Sequence, residues 1–206
     1  MISHPMLPDG YNEIKKISFT ENKKFSVIIN IAALIVGIIM VVPMLFIVPF
    51  DALFRISSDG DLNMLIVRMA VLAVSEYLYV IMHEAIHGVF IRIISGKWGK
   101  FGFKSLYAYA SCDTYIGKKE YIIIALAPIL IFGILLGVLS VFVSAEWFWI
   151  VYIIQITNIS GAVGDVYVTY AMTRMPKDTL VFDTGLEMTV FSKETPMNDK
   201  TDDQKG

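Results

Sequence analysis

The run His83-Glu84-Ala85-Ile86-His87 carries the most specific chemistry in this chain. On a helix, positions i and i+4 sit one above the other, so both imidazoles can reach one metal ion. At about 100° per residue, His83, His87 and Glu84 fall at roughly 0°, 40° and 100° around the helix. Two ligands and a carboxylate would then share one wall of a cavity. Two neutral imidazoles leave a zinc ion room for a third ligand and a water. The metal lowers the pKa of that water, and a carboxylate beside it takes the proton. The pattern points to metal-assisted hydrolysis, with His83 and His87 as ligands and Glu84 as general base. The remaining histidine, His4, lies near the N-terminus.

The surroundings of this motif are apolar. Of 206 residues, 56% are hydrophobic and 17% charged, and the mean hydropathy is +0.64. Soluble domains carry about 25% charged residues, and a water-facing globule of this size could not bury so much apolar surface. The expectation is an α-helical integral membrane protein with a lipid bilayer around it. A net charge of −2 and a pI near 5.9 exclude nucleic acid as the main partner. A single cysteine, Cys112, excludes a disulfide scaffold.

A spanning helix needs about 20 mostly apolar residues, and four stretches qualify: 25–49, 62–94, 121–143 and 147–172. The first does not read as a cleavable signal peptide, because its apolar run is too long. Lys and Arg number four in the N-terminal arm, one after the first span, six after the second, none near Ser144 and five in the tail. This alternation predicts a multi-pass cell-membrane protein with both termini cytosolic. The expected organisation is a cytosolic arm over 1–24, a membrane-embedded domain over 25–192 and a disordered polar tail over 193–206.

The loop from Gly96 to Glu120 predicts a small β-hairpin between the second and third helices, with Phe101, Phe103, Ser105, Tyr107 and Tyr109 on one side. The stretch 180–191 predicts a second hairpin turning at Gly185, or an amphipathic surface segment.

These spans also suggest the third metal ligand. Asp165 is the lone carboxylate of the fourth span, where an unpaired charge is expensive. At about 1.5 Å per residue, it and the histidines lie at similar depths, roughly 10–16 Å from the cytosolic ends of their helices. Asp113 and Cys112, in the loop, are the alternatives. Asn158 is seven residues before Asp165, on the same face, with Gly161 between them. Glu76 lies two turns before His83, as a substrate contact, a support for the ligands or a partner of Arg68.

With these residues in place, the chain resembles site-2 protease. The features are the His-Glu-x-x-His helix in the membrane, a strand-bearing loop, the entry Lys118-Lys119-Glu120-Tyr-Ile-Ile-Ile-Ala-Leu-Ala-Pro128 and a later Asn158…Asp165 helix. It resembles more closely a bacterial family of putative zincin peptidases, over roughly residues 60–190. The resemblance implies an intramembrane zinc endopeptidase acting on a membrane protein or peptide. It implies His83, His87 and Asp165 as zinc ligands, Glu84 as general base and Asn158 as a substrate or oxyanion contact. The chain departs from site-2 proteases in lacking their Asn-x-x-Pro and Leu-Asp-Gly elements, with Asn158-Ile-Ser-Gly161 and Val163-Gly164-Asp165-Val166 instead. Two other readings stand beside it: a non-catalytic multi-pass membrane protein with a structural metal site, and a small transporter. A structural site has no need of Glu84, and no repeat symmetry supports a transporter.

Overall fold

The computed structural model describes residues 3–18, 23–55, 62–104, 107–185 and 187–193. Four helical stretches are long and apolar enough to cross a membrane. The helix α1 covers Lys23–Leu45 and is followed by a short 3-10 turn at Phe50–Phe54. The helix α2, Leu62–Ser95, has 34 residues. At 1.5 Å per residue that is about 51 Å, against about 30 Å of hydrocarbon. The excess carries α2 beyond the bundle to a sheet at its C-terminal end. The helix α3 is Lys118–Phe142 and starts after Gly117, with Glu120 in its first turn, where the helix dipole favours a carboxylate.

The fourth stretch is not one helix, as its apolar run suggests, but two. The helix α4, Ala145–Gly161, ends at Ala162, and α5 resumes over Val163–Thr173. Ala162, at φ −83° and ψ 12°, leaves the helical region between Gly161 and Gly164. Small residues there stabilise a continuous helix poorly. The break sets Asp165 in the first turn of a new helix. The helix α3 packs against α2, α4 and α5, and α1 packs against α4 and α5.

The strands are β1 (Ser3–His4), β2 (Asn12–Ser18), β3 (Lys100–Lys104), β4 (Tyr107–Gly117), β5 (Leu180–Asp183) and β6 (Glu187–Ser192). They form one sheet in the order β1-β4-β5-β6-β2, with β3 also on β4. The polar N-terminal arm is therefore part of the fold, since β2 pairs antiparallel with β6 from Asn12↔Ser192 to Ser18↔Glu187. A bulge between Glu13 and Lys15 spaces Ile14 and Ile17 by three instead of two, which hides the strand from a period-two reading. Because β1, β2, β4, β5 and β6 share a sheet, the arm, the α2–α3 connection and the segment after α5 all lie at one end of the helices. Of the tail, Lys193 is described, its backbone N–H donating to Asp178 Oδ2 at 2.7 Å; residues 194–206 lie outside the described residues.

Between α2 and α3, β3 and β4 pair with Phe101 opposite Ala110 and Gly102 opposite Tyr109. Opposed residues share a face, so Phe101 and Tyr109 lie on opposite faces, contrary to the single stripe expected. The pairing runs as far as Lys104 opposite Tyr107, and residues 105–106 lie outside the described residues. The sheet packs on the end of α2 and on α5 through Ile17, Ile91, Ile94, Ile116, Met172 and Val181. Gly88 permits this approach: a Cβ there would overlap the Phe101 ring.

Candidate metal centre and its cavity

His83 and His87 stand one turn apart on α2, and the first turn of α5 brings Asp165 to them. His83 Nε2 lies 3.5 Å from Asp165 Oδ2, and His87 Nε2 lies 3.8 Å from Asp165 Oδ1. One ligand atom from each of the three residues lies within 4.8 Å of the others. The side chains are 12%, 12% and 29% exposed.

These distances fit one shared metal better than direct pairing. They exceed an N–H···O hydrogen bond, which is about 2.7–3.2 Å. Two ligands about 2.0–2.2 Å from one zinc ion can be up to about 4.2 Å apart. The second ring nitrogens are already engaged: His83 Nδ1 is 2.9 Å from the Tyr79 hydroxyl, and His87 Nδ1 is 2.9 Å from the Ile124 carbonyl. Two imidazole nitrogens and a carboxylate oxygen form a donor set suited to zinc.

Glu84 lies beside this group, and Ala110 of β4 lines the same cavity. A cavity of about 450 Å³ joins the parts, with Tyr79, Glu84, Tyr109, Tyr121 and Asp183 in its wall beside His83, His87 and Asp165. The β5–β6 turn closes one side. Gly185, at φ +81°, has a conformation that suits glycine, and a Cβ there would overlap the Tyr109 ring. Asp183 accepts hydrogen bonds from the Tyr121 hydroxyl and from Gly185 N–H. Burial pushes the Asp183 carboxyl above the ordinary carboxylate range; those two bonds oppose the rise and the charge of Asp165 adds to it.

The other candidates stand apart from this group. Asp113 is exposed and paired with Lys100. Cys112 also borders the cavity, but its thiol is 2.7 Å from Thr114 Oγ1. Glu76 accepts from Thr157 Oγ1 at 3.1 Å, and Arg68 pairs instead with Glu146 at 3.1 Å. Asn158 is fully buried. Its oxygen accepts from the Tyr79 hydroxyl at 3.2 Å, and its Nδ2 donates to Ile129 O at 3.3 Å. Both ends of the amide are thus occupied by protein, in place of the substrate contact expected of it. Tyr79 was detectable by its spacing, four residues before His83 on the same face. Asp183 had no local signal, because its place depends on sheet pairing.

A family model described as putative zincin peptidase matches residues 77–180, which contain His83, Glu84, His87 and Asp165. An "uncharacterized 24.7 kDa protein in gap 5'region" of Pyrococcus woesei is 31% identical over 121 residues, 54% of this chain and 50% of that protein. The chain therefore spans about half the length of the curated relative it matches. No solved structure matches the chain.

Proposed function

The chain belongs to the family of putative zincin peptidases, and from that premise we propose that it is a membrane-embedded zinc metallopeptidase hydrolysing peptide bonds of membrane proteins or membrane-associated peptides. The observation that carries this reading is the convergence of His83 Nε2, His87 Nε2 and the Asp165 carboxylate on one point, in a cavity that Glu84 also lines.

His83, His87 and Asp165 would hold the ion, which when bound supplies Lewis acidity toward water and a peptide carbonyl. Glu84 takes a proton from the attacking water on its carboxylate and delivers it to the leaving amine nitrogen. The imidazoles are only 12% exposed, and such burial strengthens their electrostatic interactions.

A helical substrate must unwind first, because its carbonyls are held in hydrogen bonds. Strand β4 runs past Glu84, and over Tyr107–Ser111 it is paired among the described residues on one side, with β3, so its other side there suits an extended peptide. The sheet end of the bundle is the cytosolic end in this reading, since the Lys-rich segments gather there. Cleavage is then expected near the cytosolic face of the cell membrane. Three ligands and a neighbouring carboxylate, among the described residues, favour catalysis over a structural site closed by four protein ligands.

The test compares wild type with Glu84→Gln on membrane-derived peptides in detergent or lipid. The expected result is a loss of about 10²–10⁴-fold in cleavage rate with zinc content unchanged. Equal rates would remove Glu84 from the mechanism.

A further inference from the structure

We propose that Pro128, Tyr79 and Asn158 are positioning residues that fix both metal-facing imidazoles with the proton on Nδ1 and the lone pair on Nε2. The proposal rests on the metal-site reading above and names what prepares that site before an ion arrives.

For His87 the device is a proline. In an α-helix the carbonyl of residue i accepts the N–H of residue i+4. Pro128 lies inside α3 and has no N–H. The carbonyl it leaves without a helical donor is that of Ile124, four residues earlier, and this is the carbonyl 2.9 Å from His87 Nδ1. A carbonyl only accepts, so Nδ1 carries the proton. The run Ala125-Leu126-Ala127-Pro128 thereby acquires a role that composition alone would not give it.

For His83 the device is a relay of side chains. Asn158 Nδ2 donates to Ile129 O, so the amide turns its oxygen toward Tyr79. The Tyr79 hydroxyl has one proton, and it goes to that oxygen at 3.2 Å. The hydroxyl oxygen is then left to accept from His83 Nδ1 at 2.9 Å. Tyr79 is only 7% exposed and Asn158 0%, which keeps water from competing with either bond. Both routes end alike: Nε2 is bare and faces Asp165. Groups that orient metal-ligating imidazoles typically matter about 10–100-fold in affinity.

The test uses the full-length protein in detergent with ¹⁵N-labelled histidine, of which the chain has three. Spectra are taken without metal at about pH 8, where free imidazole is neutral. In wild type, His83 and His87 are both expected as the Nδ1–H form; a predominant Nε2–H form at either overturns the proposal, whatever the variants do. Tyr79→Phe is expected to change the tautomer signal of His83 and leave that of His87. Pro128→Ala is expected to do the reverse, because the new backbone N–H competes for the Ile124 carbonyl. Each variant should weaken zinc binding, titrated against a chelator, by about 10–100-fold. Both signals moving together in either variant would mean general loosening, and zinc affinity within twofold of wild type in both would mean no positioning; either result overturns the proposal. Peptide cleavage is not part of the readout, so failure of the peptidase reading and failure of this one are distinguishable.

Discussion

Near the start of α2, Arg68 is buried and its guanidinium is met on several sides. Nη1 donates to the carbonyls of Leu53 and Arg55, at 3.4 and 2.9 Å, and Nη2 reaches Glu146 at 3.1 Å. Fifteen residues later, roughly 22 Å along the same helix, His83 begins the proposed metal centre. There the Nε2 atoms and the Asp165 oxygens stop at 3.5 and 3.8 Å, near one another without closing. Both places hold ionisable groups inside an apolar bundle, and their geometry is opposite. At the end distant from the sheet, the charge is taken up at both Nη atoms by a partner and by carbonyls, with Nε alone lacking a hydrogen-bond partner among the described residues. At the sheet end, one side-chain atom from each of His83, His87 and Asp165 lies near the other two without bonding them. The comparison teaches how to tell the two apart: a structural ion closes on its neighbours, whereas a site leaves its donors aimed at a third party.

The largest expected effect separates the two ends most sharply. His83→Ala, His87→Ala or Asp165→Ala should each lower zinc in the purified protein from about one ion per chain to a small fraction, a loss beyond the roughly 10–100-fold of a supporting group. Elemental analysis measures it. Full zinc retention by Asp165→Ala would break the comparison, because the third donor would then lie elsewhere.

Next in size is the far end. Arg68→Ala removes a charged donor from three acceptors and should cost about 1.5–3 kcal/mol, read as a lowered unfolding temperature in detergent. Glu146→Gln should cost less, about 0.5–1 kcal/mol, because that side chain is 43% exposed and solvent screens the pair. Zinc content should hold in both. Zinc loss on changing Arg68 would show that the two ends are coupled along α2.

How much of this could be read from the sequence follows from the range of the forces involved. The pairing of His83 with His87 is local, set by the rise and turn of one helix. The approach of Asp165 is a matter of depth along the helices, and depth is legible because long apolar helices share one rise per residue. What lies beyond such a measure is pairing between distant segments. The arm strand Asn12–Ser18 is held by β6, almost the whole chain away, and its bulge removes the alternation that would reveal it. Phe101 and Tyr109 fall on opposite faces because their strands pair antiparallel, with Gly102 opposite Tyr109. The break at Ala162 has no proline to announce it. Asn158 shares a face with Asp165 by spacing, and only the position of Tyr79 turns its amide into the protein.

Glu76 gives the smallest expected effect and the finest test, because it sits on α2 between the two ends. Its carboxylate accepts from Thr157 Oγ1 at 3.1 Å, which is the closed plan of Arg68, yet Thr157 also borders the cavity. Glu76→Gln keeps an acceptor oxygen and nearly the same shape. If the closed plan governs, stability should move by no more than about 0.5 kcal/mol, with zinc content and cleavage as in wild type. Glu76→Ala should cost about 1 kcal/mol, since Thr157 loses its acceptor but can turn its hydroxyl to a carbonyl of its own helix. Loss of cleavage in Glu76→Gln with zinc retained would place Glu76 with the metal centre, because the amide differs from the carboxylate chiefly in charge and proton affinity. The boundary between the two plans would then lie between Arg68 and Glu76, instead of between Glu76 and His83.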